Sequence, residues 1–234
     1  MSTKYYLKYF YFIWSNWSFN LAFFTIKKEV QGERKYNIDS IVLNRLNKLT
    51  ITGNNLAHAS IYQAANYFLL EKAFEYLQSI NANQNIVDFG CGKGRVMVVA
   101  AYYEFKKITG IDFAKALCVA AEQNLAKVKP LYTSTEFTII CDDVVNYKIK
   151  EDENVFFFFN PFDEVVMLQV VKNILKSLKE NPRHVYTIYL NPLHKEIFLS
   201  AGFEEEYYLK KFQYLELSIL SSAEEEGKIL LGQV

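Results

Sequence analysis

The sequence predicts an α/β fold with a doubly wound, mostly parallel sheet of seven strands. Short apolar runs alternate with segments of helical periodicity, and a dense glycine cluster directly follows one of these runs. Two extended segments stand in succession near the C-terminal end. Strands that alternate with helices form a parallel sheet covered on both faces. The two final segments indicate an antiparallel pair, and hence one antiparallel edge strand.

Each element is predicted from its own local pattern. Helical apolar spacing predicts helices over residues 60–80, 95–103, 114–127, 164–178 and 193–200. Strands are predicted over residues 86–89, 107–111, 137–141, 155–159 and 185–190, with two more within residues 203–222. The run of four phenylalanines at residues 156–159 is interpreted as a buried strand and nothing more.

Length and charge indicate one domain with an extension at each end. The 234 residues are enough to bury a full core. We expect an N-terminal extension over residues 1–59, a core domain over residues 60–222 and a tail over residues 223–234. The formal net charge is zero, which gives no general attraction toward nucleic acid. We therefore do not expect a nucleic acid partner, and we expect a monomer or a weak dimer.

The three cysteines, Cys91, Cys118 and Cys141, are odd in number and far apart. They lack the spacing of metal ligands or of a disulfide framework. We expect a reduced, cytoplasmic protein without a metal ion.

Residues 5–26 are rich in aromatic side chains but are interrupted by Lys8 and by serines and asparagines. A membrane-spanning helix needs about 20 mostly apolar residues, and a secretory signal needs an aliphatic segment before its cleavage site. We therefore expect an aromatic arm that packs on the domain. Contact with a membrane surface through residues 5–26 is the less favoured alternative, since aromatic residues beside cationic ones suit that role.

The sequence VDFGCGKGR, residues 87–95, has glycine at every second position after a predicted strand. A phosphate-binding P-loop needs Ser or Thr after its lysine, but Gly94 follows Lys93. A dinucleotide site places its third glycine where this chain has Arg95. Glycine permits a close approach of the backbone to a ligand. The pattern therefore favours a nucleoside-like ligand without a phosphate.

Acidic residues end three consecutive predicted strands. Asp88 ends the first strand and suits a cationic ammonium group, whereas Asp112, 24 residues later, is placed to accept hydrogen bonds from a ribose. Asp142 and Asp143 end the third strand, where a carboxylate can accept from an adenine amino group. A single aspartate at such a position is more often a helix N-cap. Together with the glycines, however, these acids predict one binding site.

The stretch VDFGCGKGR resembles the cofactor loop of the class I S-adenosylmethionine-dependent methyltransferases, which have a Rossmann-like sheet. The similarity runs from about Tyr62 to Leu220. With FFFFNPFDEVV, residues 156–166, it resembles a bacterial group that shares features with the non-SET lysine methyltransferases. The Tyr-x-Pro element of those families corresponds to Tyr62-Gln63-Ala64, which lacks the proline.

The resemblance implies S-adenosyl-L-methionine as the cofactor. By the same resemblance, the residues that bind it are Tyr62, Asp88, Gly90, Cys91, Gly92, Gly94, Asp112, Phe113, Asp142, Asp143 and Asn160. Cys91 is expected to offer only its backbone to the ligand. The N-terminal extension would help to build or cover the acceptor site.

The turn Asn160-Pro161-Phe162 resembles the acceptor-binding turn of amino-group methyltransferases and is the predicted catalytic element. The Asn160 oxygen would orient a target nitrogen of a protein or small molecule, with an aromatic ring packed beside it. The dipeptide Asn-Pro also favours an ordinary turn. Two alternatives stay open: a small-molecule O-methyltransferase with His194 as base, and a non-catalytic module that binds S-adenosylmethionine.

Overall fold

Seven α-helices and seven β-strands form the part of the chain that the computed structural model describes, namely residues 3–40, 63–82, 84–159 and 162–222. The helices are α1 Thr3–Asn16, α2 Phe19–Tyr36, α3 Tyr67–Ser79, α4 Arg95–Tyr102, α5 Lys115–Val128, α6 Glu164–Glu180 and α7 Lys195–Ser200. The strands are β1 Asn85–Phe89, β2 Lys107–Asp112, β3 Glu136–Cys141, β4 Val155–Phe159, β5 Tyr186–Leu190, β6 Phe203–Lys211 and β7 Leu215–Ser222.

The strands form one sheet in the order β3-β2-β1-β4-β5-β7-β6. Strands β1 to β5 pair in parallel, and β7 pairs antiparallel with both β5 and β6. The predicted antiparallel pair at one edge is therefore confirmed, and the reversed strand, β7, lies one position in from that edge. The strand order reverses between β1 and β4, where sheets of this kind bind ligands beyond their carboxyl ends.

The core lies on both faces of the sheet because strand side chains alternate between them. Ile86 and Phe157 point to the face covered by α3 and α4. Val87 and Phe156 point to the opposite face, which α6 and α7 cover. This alternation explains why the central strands read as continuous apolar runs in the sequence.

The helix before β1 begins later than the sequence predicts. Residues 63–66 are irregular, and α3 begins at Tyr67 because Asn66 caps it. The Asn66 side chain accepts a hydrogen bond from the Phe68 amide at 3.0 Å. An asparagine cap satisfies an amide that has no partner within the helix, and so fixes the first turn. Helical periodicity alone did not reveal this boundary.

The N-terminal aromatic segment forms the antiparallel helices α1 and α2, and their inner faces pack on the domain. A small cluster of Ile13, Leu21 and Ala22 joins the two helices, and Leu215 of β7 packs against it. None of the described helices combines the length and apolar character that crossing a membrane requires. The predicted packing of this arm on the domain is what the structure has, although much of its outer surface is exposed.

Arg95, the first residue of α4, joins the arm to the core. Its buried guanidinium contacts Glu29 at 2.8 Å and Glu33 at 3.2 Å, both on α2. It also donates to the Ser40 hydroxyl and the Ala65 carbonyl, each at 2.7 Å. These contacts hold α2 against the helix that follows the glycine loop.

Tyr67 of α3 also takes part in this buried joint between α2 and α4, which consists of Arg95 and its contacts. The Arg95 guanidinium lies 4.1 Å from the centre of the Tyr67 ring, and the Tyr67 hydroxyl donates to Glu33 at 3.0 Å. The ring also lies so close to α2 that a Cβ on Gly32 would come within 2.2 Å of it. A glycine is therefore required at position 32 for α2 and α3 to pack this closely.

We expect Arg95→Met to lower the free energy of unfolding by about 3–5 kcal/mol, because it leaves two buried carboxylates without their cation. Urea unfolding measures the change. The matched control is Arg34→Met on the exposed side of α2, which should change stability by less than about 0.5 kcal/mol. Equal effects of the two substitutions would show that the buried joint does not hold the arm.

Candidate functional site

The glycine loop lies at the carboxyl end of β1, beside the strand-order reversal. Gly90, Gly92 and Gly94 have φ values of 85°, 53° and 76°, in the left-handed region that favours glycine. The amides of Gly90 and Cys91 both donate to the Ile111 carbonyl at 2.9 Å. The loop is thus held to the end of β2, and its alternating glycines are required by its backbone conformation.

Asp112, at the end of β2, binds the same loop. One carboxylate oxygen accepts from the Gly92 amide and the other from the Ala114 amide, each at 2.9 Å. Burial raises the pKa of Asp112 to about 6, although these two hydrogen bonds act to lower it. A carboxylate has about four acceptor sites, so further hydrogen bonds can still be accepted.

Asp88, the fourth residue of β1, carries a buried carboxylate oxygen without a hydrogen-bond partner. Burial, followed by the charge of Asp112, raises the pKa of Asp88 well above its ordinary value. A buried acid without a partner is costly, and a cation or hydrogen-bond donor beside it would reduce that cost. Asp88 and Asp112 together form an acidic pair behind the glycine loop.

The two acids after β3 differ in their roles. Asp143 is buried and caps a short 3₁₀-helix, and its side chain accepts from the Val145 amide at 3.2 Å. Asp142 is exposed and accepts from the Asn146 side chain at 3.1 Å. Of the two, Asp142 presents its carboxylate to solvent at the strand end.

Other predicted site residues divide into buried, half-exposed and undescribed positions. Cys91 is buried in the loop, and burial raises the pKa of its thiol well above the ordinary value, so it is not a reactive thiolate. Phe113, next to Asp112, is half-buried. Tyr62, Asn160 and Pro161 lie outside the described residues. Their predicted roles stay predictions.

Phe162 is buried after β4, and its ring lies 6.3 Å from that of Phe158, measured between centroids. It forms part of the core beneath the strand end. A role for its ring beside a substrate stays a prediction. Phe159, by contrast, is only half-buried and lines a cavity, so the interpretation of the phenylalanine run as buried strand and nothing more was wrong at its last position.

This cavity, of about 310 Å³, lies beyond the carboxyl ends of β4 and β5. Phe159 and Asn191 form its floor at these ends, and Thr25 and Glu29 of α2 line it from the N-terminal arm. Its wall is completed by aromatic and polar residues, among them Tyr9, Trp17, Tyr214, Gln63 and Asn66. The N-terminal arm therefore covers the carboxyl ends of β4 and β5.

Sequence patterns missed this cavity because its walls come from segments far apart in the chain. The sequence offered one local indication, an asparagine directly after a predicted strand. In the structure this residue, Asn191, directly follows β5 and has a φ of 48°. A larger cavity, of about 590 Å³, lies between α1, α2 and the end of α5 and includes Tyr6, Asp39 and Lys127. None of the residues that line it belongs to the glycine loop or to a strand end.

Two histidines are described. His184 precedes β5 and so lies at the amino end of that strand, away from the site. His194 follows β5 immediately before α7, and its backbone amide donates to the Tyr189 hydroxyl at 3.3 Å. Within residues 3–40, 63–82, 84–159 and 162–222, no cluster of three or more His, Cys, Asp or Glu could hold a metal ion.

Comparisons with known family profiles and with curated proteins found no match. Solved structures do match. A proposed RNA methyltransferase of Pyrococcus horikoshii is 18% identical, with a TM-score of 0.51 over 75% of this chain and 90% of that chain. A proposed methyltransferase of Escherichia coli is 13% identical, with a TM-score of 0.54 over 71% of this chain and 92% of that chain.

The methyltransferase domain of a bacterial Hen1 protein is 16% identical, with a TM-score of 0.51 over 65% of this chain and 96% of that chain. The chain therefore has the Rossmann-like fold of the class I methyltransferases, as the glycine loop predicted. Identities this low establish the fold alone. None of these three structures is described as a lysine methyltransferase, so the finer resemblance has no support from them.

We expect the Asp112 carboxyl to titrate near pH 6 in the ligand-free protein, well above its ordinary value of 3.8. Because the pKa is raised on folding, ionised Asp112 lowers stability; the loss begins as pH rises through 3.8 and is complete above about 6. Carbon-13 NMR of the aspartate side chains measures the titration. Exposed Asp152, whose pKa Lys107 lowers, is the internal control. A midpoint near 3.8 for Asp112 would contradict this expectation.

Proposed function

We propose that the protein is an S-adenosylmethionine-dependent methyltransferase. The observation that carries the proposal is the buried acidic pair behind a left-handed glycine loop, in which one Asp88 oxygen has no hydrogen-bond partner. A cofactor with a cationic amino acid group and a ribose would supply the donors that this pair lacks. The loop offers backbone rather than side chains, which permits a close approach of the cofactor.

Different residues of the site would contact different parts of the cofactor. Asp88 would face the ammonium group, and Asp112 would accept from the ribose hydroxyls through its remaining acceptor sites. Asp142 is the better candidate for the adenine amino group, because the Asp143 side chain already caps the 3₁₀-helix. Gly90, Cys91, Gly92 and Gly94 would contact the cofactor through their backbone.

The methyl acceptor is proposed to enter the cavity beyond β4 and β5. Its volume of about 310 Å³ suits a small molecule or a single protein side chain. Asn160, which follows Phe159 in the sequence, would accept a hydrogen bond from the target nitrogen and so aim its lone pair. We propose an amino nitrogen as the acceptor on the strength of the Asn160-Pro161-Phe162 sequence.

The chemistry requires mainly positioning. S-adenosylmethionine supplies an activated methyl group on a cationic sulfur. The protein holds the acceptor in line with that group, and such alignment can contribute roughly 7–11 kcal/mol to lowering the barrier. A neutral amine needs little help from a base.

A second candidate is O-methylation of a small molecule, which the position of His194 at the carboxyl end of β5 favours. A hydroxyl acceptor needs a base to remove its proton. A third candidate is a module that binds the cofactor without catalysis. The three candidates respond differently to the substitutions described below.

We expect S-adenosylhomocysteine to stabilise the protein by about 2.7 kcal/mol at a concentration one hundredfold above its dissociation constant. Thermal unfolding with S-adenosylhomocysteine, NADH and ATP in parallel measures this. Gly92→Ala and Asp112→Ala should abolish the response, because the first adds a side chain where the cofactor approaches and the second removes the ribose acceptor.

Gly202→Ala is the matched control. Gly202 also has a left-handed backbone, with a φ of 88°, and a Cβ there would meet open space. Its substitution should cost some stability through backbone strain but leave the S-adenosylhomocysteine response intact. A response to NADH or ATP alone, or full responses in both site variants, would refute the cofactor assignment.

We expect Asn160→Ala to lower kcat by about a hundredfold to a thousandfold, because an oriented hydrogen bond used in the transition state is lost. Its affinity for S-adenosylhomocysteine should stay nearly unchanged. His194→Ala should have little effect if the acceptor is an amine, and the two outcomes exchange if the acceptor is a hydroxyl. A non-catalytic module shows no turnover in any variant.

The assay transfers labelled methyl from S-adenosylmethionine to a cell lysate that is then separated into small molecules, lipids, RNA and protein. Label in one fraction identifies the acceptor class. A full rate for Asn160→Ala would remove the basis for the proposed acceptor turn. Label in the RNA fraction would contradict our expectation that nucleic acid is not a partner.

A further inference from the structure

We propose that the protein docks on anionic lipid membranes through the tip of its N-terminal helical arm. The tip consists of six residues around the α1–α2 connection: Tyr11, Phe12, Trp14, Trp17, Phe19 and Phe23. Their exposed fractions range from 44% to 66%. The proposal does not depend on methyl transfer and is tested without it.

Five of the six exposed rings of the tip make ring contacts, in two groups. Trp14 contacts Tyr11 and Phe19, with ring centroids 6.4 Å and 5.8 Å apart. Trp17 contacts Phe12 at 5.7 Å and Tyr214 of the β6–β7 turn at 6.1 Å. Single exposed apolar residues are normal on a protein surface, whereas a cluster of exposed aromatic rings marks a surface that another body covers.

The charge around the tip identifies a membrane as that body. Residues 9–26 contain no charged side chain, and no Asp or Glu occurs before Glu29. Lys8, on one side of this segment, and Lys27, on the other, are both exposed. Lys211 of the neighbouring strand lies over the Phe24 ring at 4.7 Å. Aromatic rings bordered by lysines suit the boundary between lipid headgroups and acyl chains, where the rings enter and the ammonium groups reach phosphates.

Three of the polar residues that interrupt the segment have side chains engaged at the ends of the two helices. The side chains of Ser15 and Asn16 donate to the Phe12 carbonyl at 3.1 Å and 2.8 Å, at the end of α1. Ser18 caps α2 and accepts from the Leu21 amide at 3.2 Å. Because these groups satisfy helix ends, they reduce the number of backbone groups at the connection that need water.

The tip also borders the cavity beyond β4 and β5. Trp17 and Tyr214 line that cavity and are 44% and 42% exposed, so they stand at its mouth. A membrane that receives the tip therefore lies beside the cavity entrance. This arrangement fits an amphiphilic molecule held in the membrane, but docking itself is the proposal.

The chain provides its own reporter of docking, because its two tryptophans, Trp14 and Trp17, both belong to the tip. The full chain is mixed with phosphatidylcholine vesicles that contain or lack phosphatidylglycerol. We expect a blue shift of tryptophan emission and flotation with the vesicles that contain phosphatidylglycerol. One molar salt should weaken binding without abolishing it, because it shortens the Debye length to about 3 Å and leaves the aromatic contribution in place.

The test variant is Phe12→Ser/Phe23→Ser, which keeps both tryptophans and removes two exposed rings. We expect its vesicle affinity to fall by about tenfold or more, because less apolar surface enters the lipid. The matched control is Leu131→Ser/Val165→Ser, at positions 70% and 63% exposed elsewhere on the surface, and it should bind as the unmodified chain does. Urea unfolding confirms that each variant remains folded.

Three results would overturn the proposal. The first is no emission shift and no flotation with anionic vesicles. The second is equal vesicle affinity of the tip variant and the unmodified chain. The third is a second copy of the chain on the tip, seen in analytical ultracentrifugation as a dimer that Phe12→Ser/Phe23→Ser converts to a monomer while vesicles fail to bind.

Discussion

The buried guanidinium of Arg95 is the contact on which the arrangement of this molecule depends. Burial acts to lower the pKa of Arg95, but Glu29, Tyr67 and Glu33 together outweigh it and the pKa is raised, so Arg95 keeps its charge. A buried cation needs fixed partners, and those partners come from α2 and from the segments on either side of the undescribed residues 41–62. The helix that starts after the glycine loop thus holds the arm that walls the cavity. Loop, arm and cavity are connected through Arg95, which follows the loop and contacts Glu29, a residue of the cavity wall.

The sequence predicted what is encoded locally. Strands and most helices were found because their apolar spacing reflects burial on one or two faces, and the glycine loop was found because its backbone requires glycine. The start of α3 was missed because one capping asparagine decided it. The partners of Arg95 were missed because Glu29 and Glu33 lie more than sixty positions away in the chain. The dinucleotide pattern drew attention to Arg95 only as a missing glycine, and nothing local indicated that it anchors α2.

The buried acids of the candidate site lower the stability of the ligand-free protein. Burial raises the pKa of both Asp88 and Asp112, and the charge of Asp112 raises the pKa of Asp88 further. A core built for stability alone would place apolar residues at these strand ends. This energetic cost is relieved only when hydrogen-bond donors or a cation bind beside the two acids. The acids that lower the stability of the ligand-free protein would then stabilise the complex. Asp143, by contrast, already accepts a hydrogen bond from the Val145 amide and caps the 3₁₀-helix.

Trp17 of the tip and Tyr214, whose ring it contacts, each belong to two surfaces at once, because both are partly exposed and both form part of the cavity wall. Whatever rests on the outer side of these rings restricts their movement on the inner side, and whatever fills the cavity restricts them from within. Covering the outer side of these rings and filling the cavity are therefore energetically coupled. Binding at the two places is then reciprocal. If covering the tip changes the affinity of the cavity for its ligand by some factor, filling the cavity changes the affinity of the tip for the membrane by the same factor.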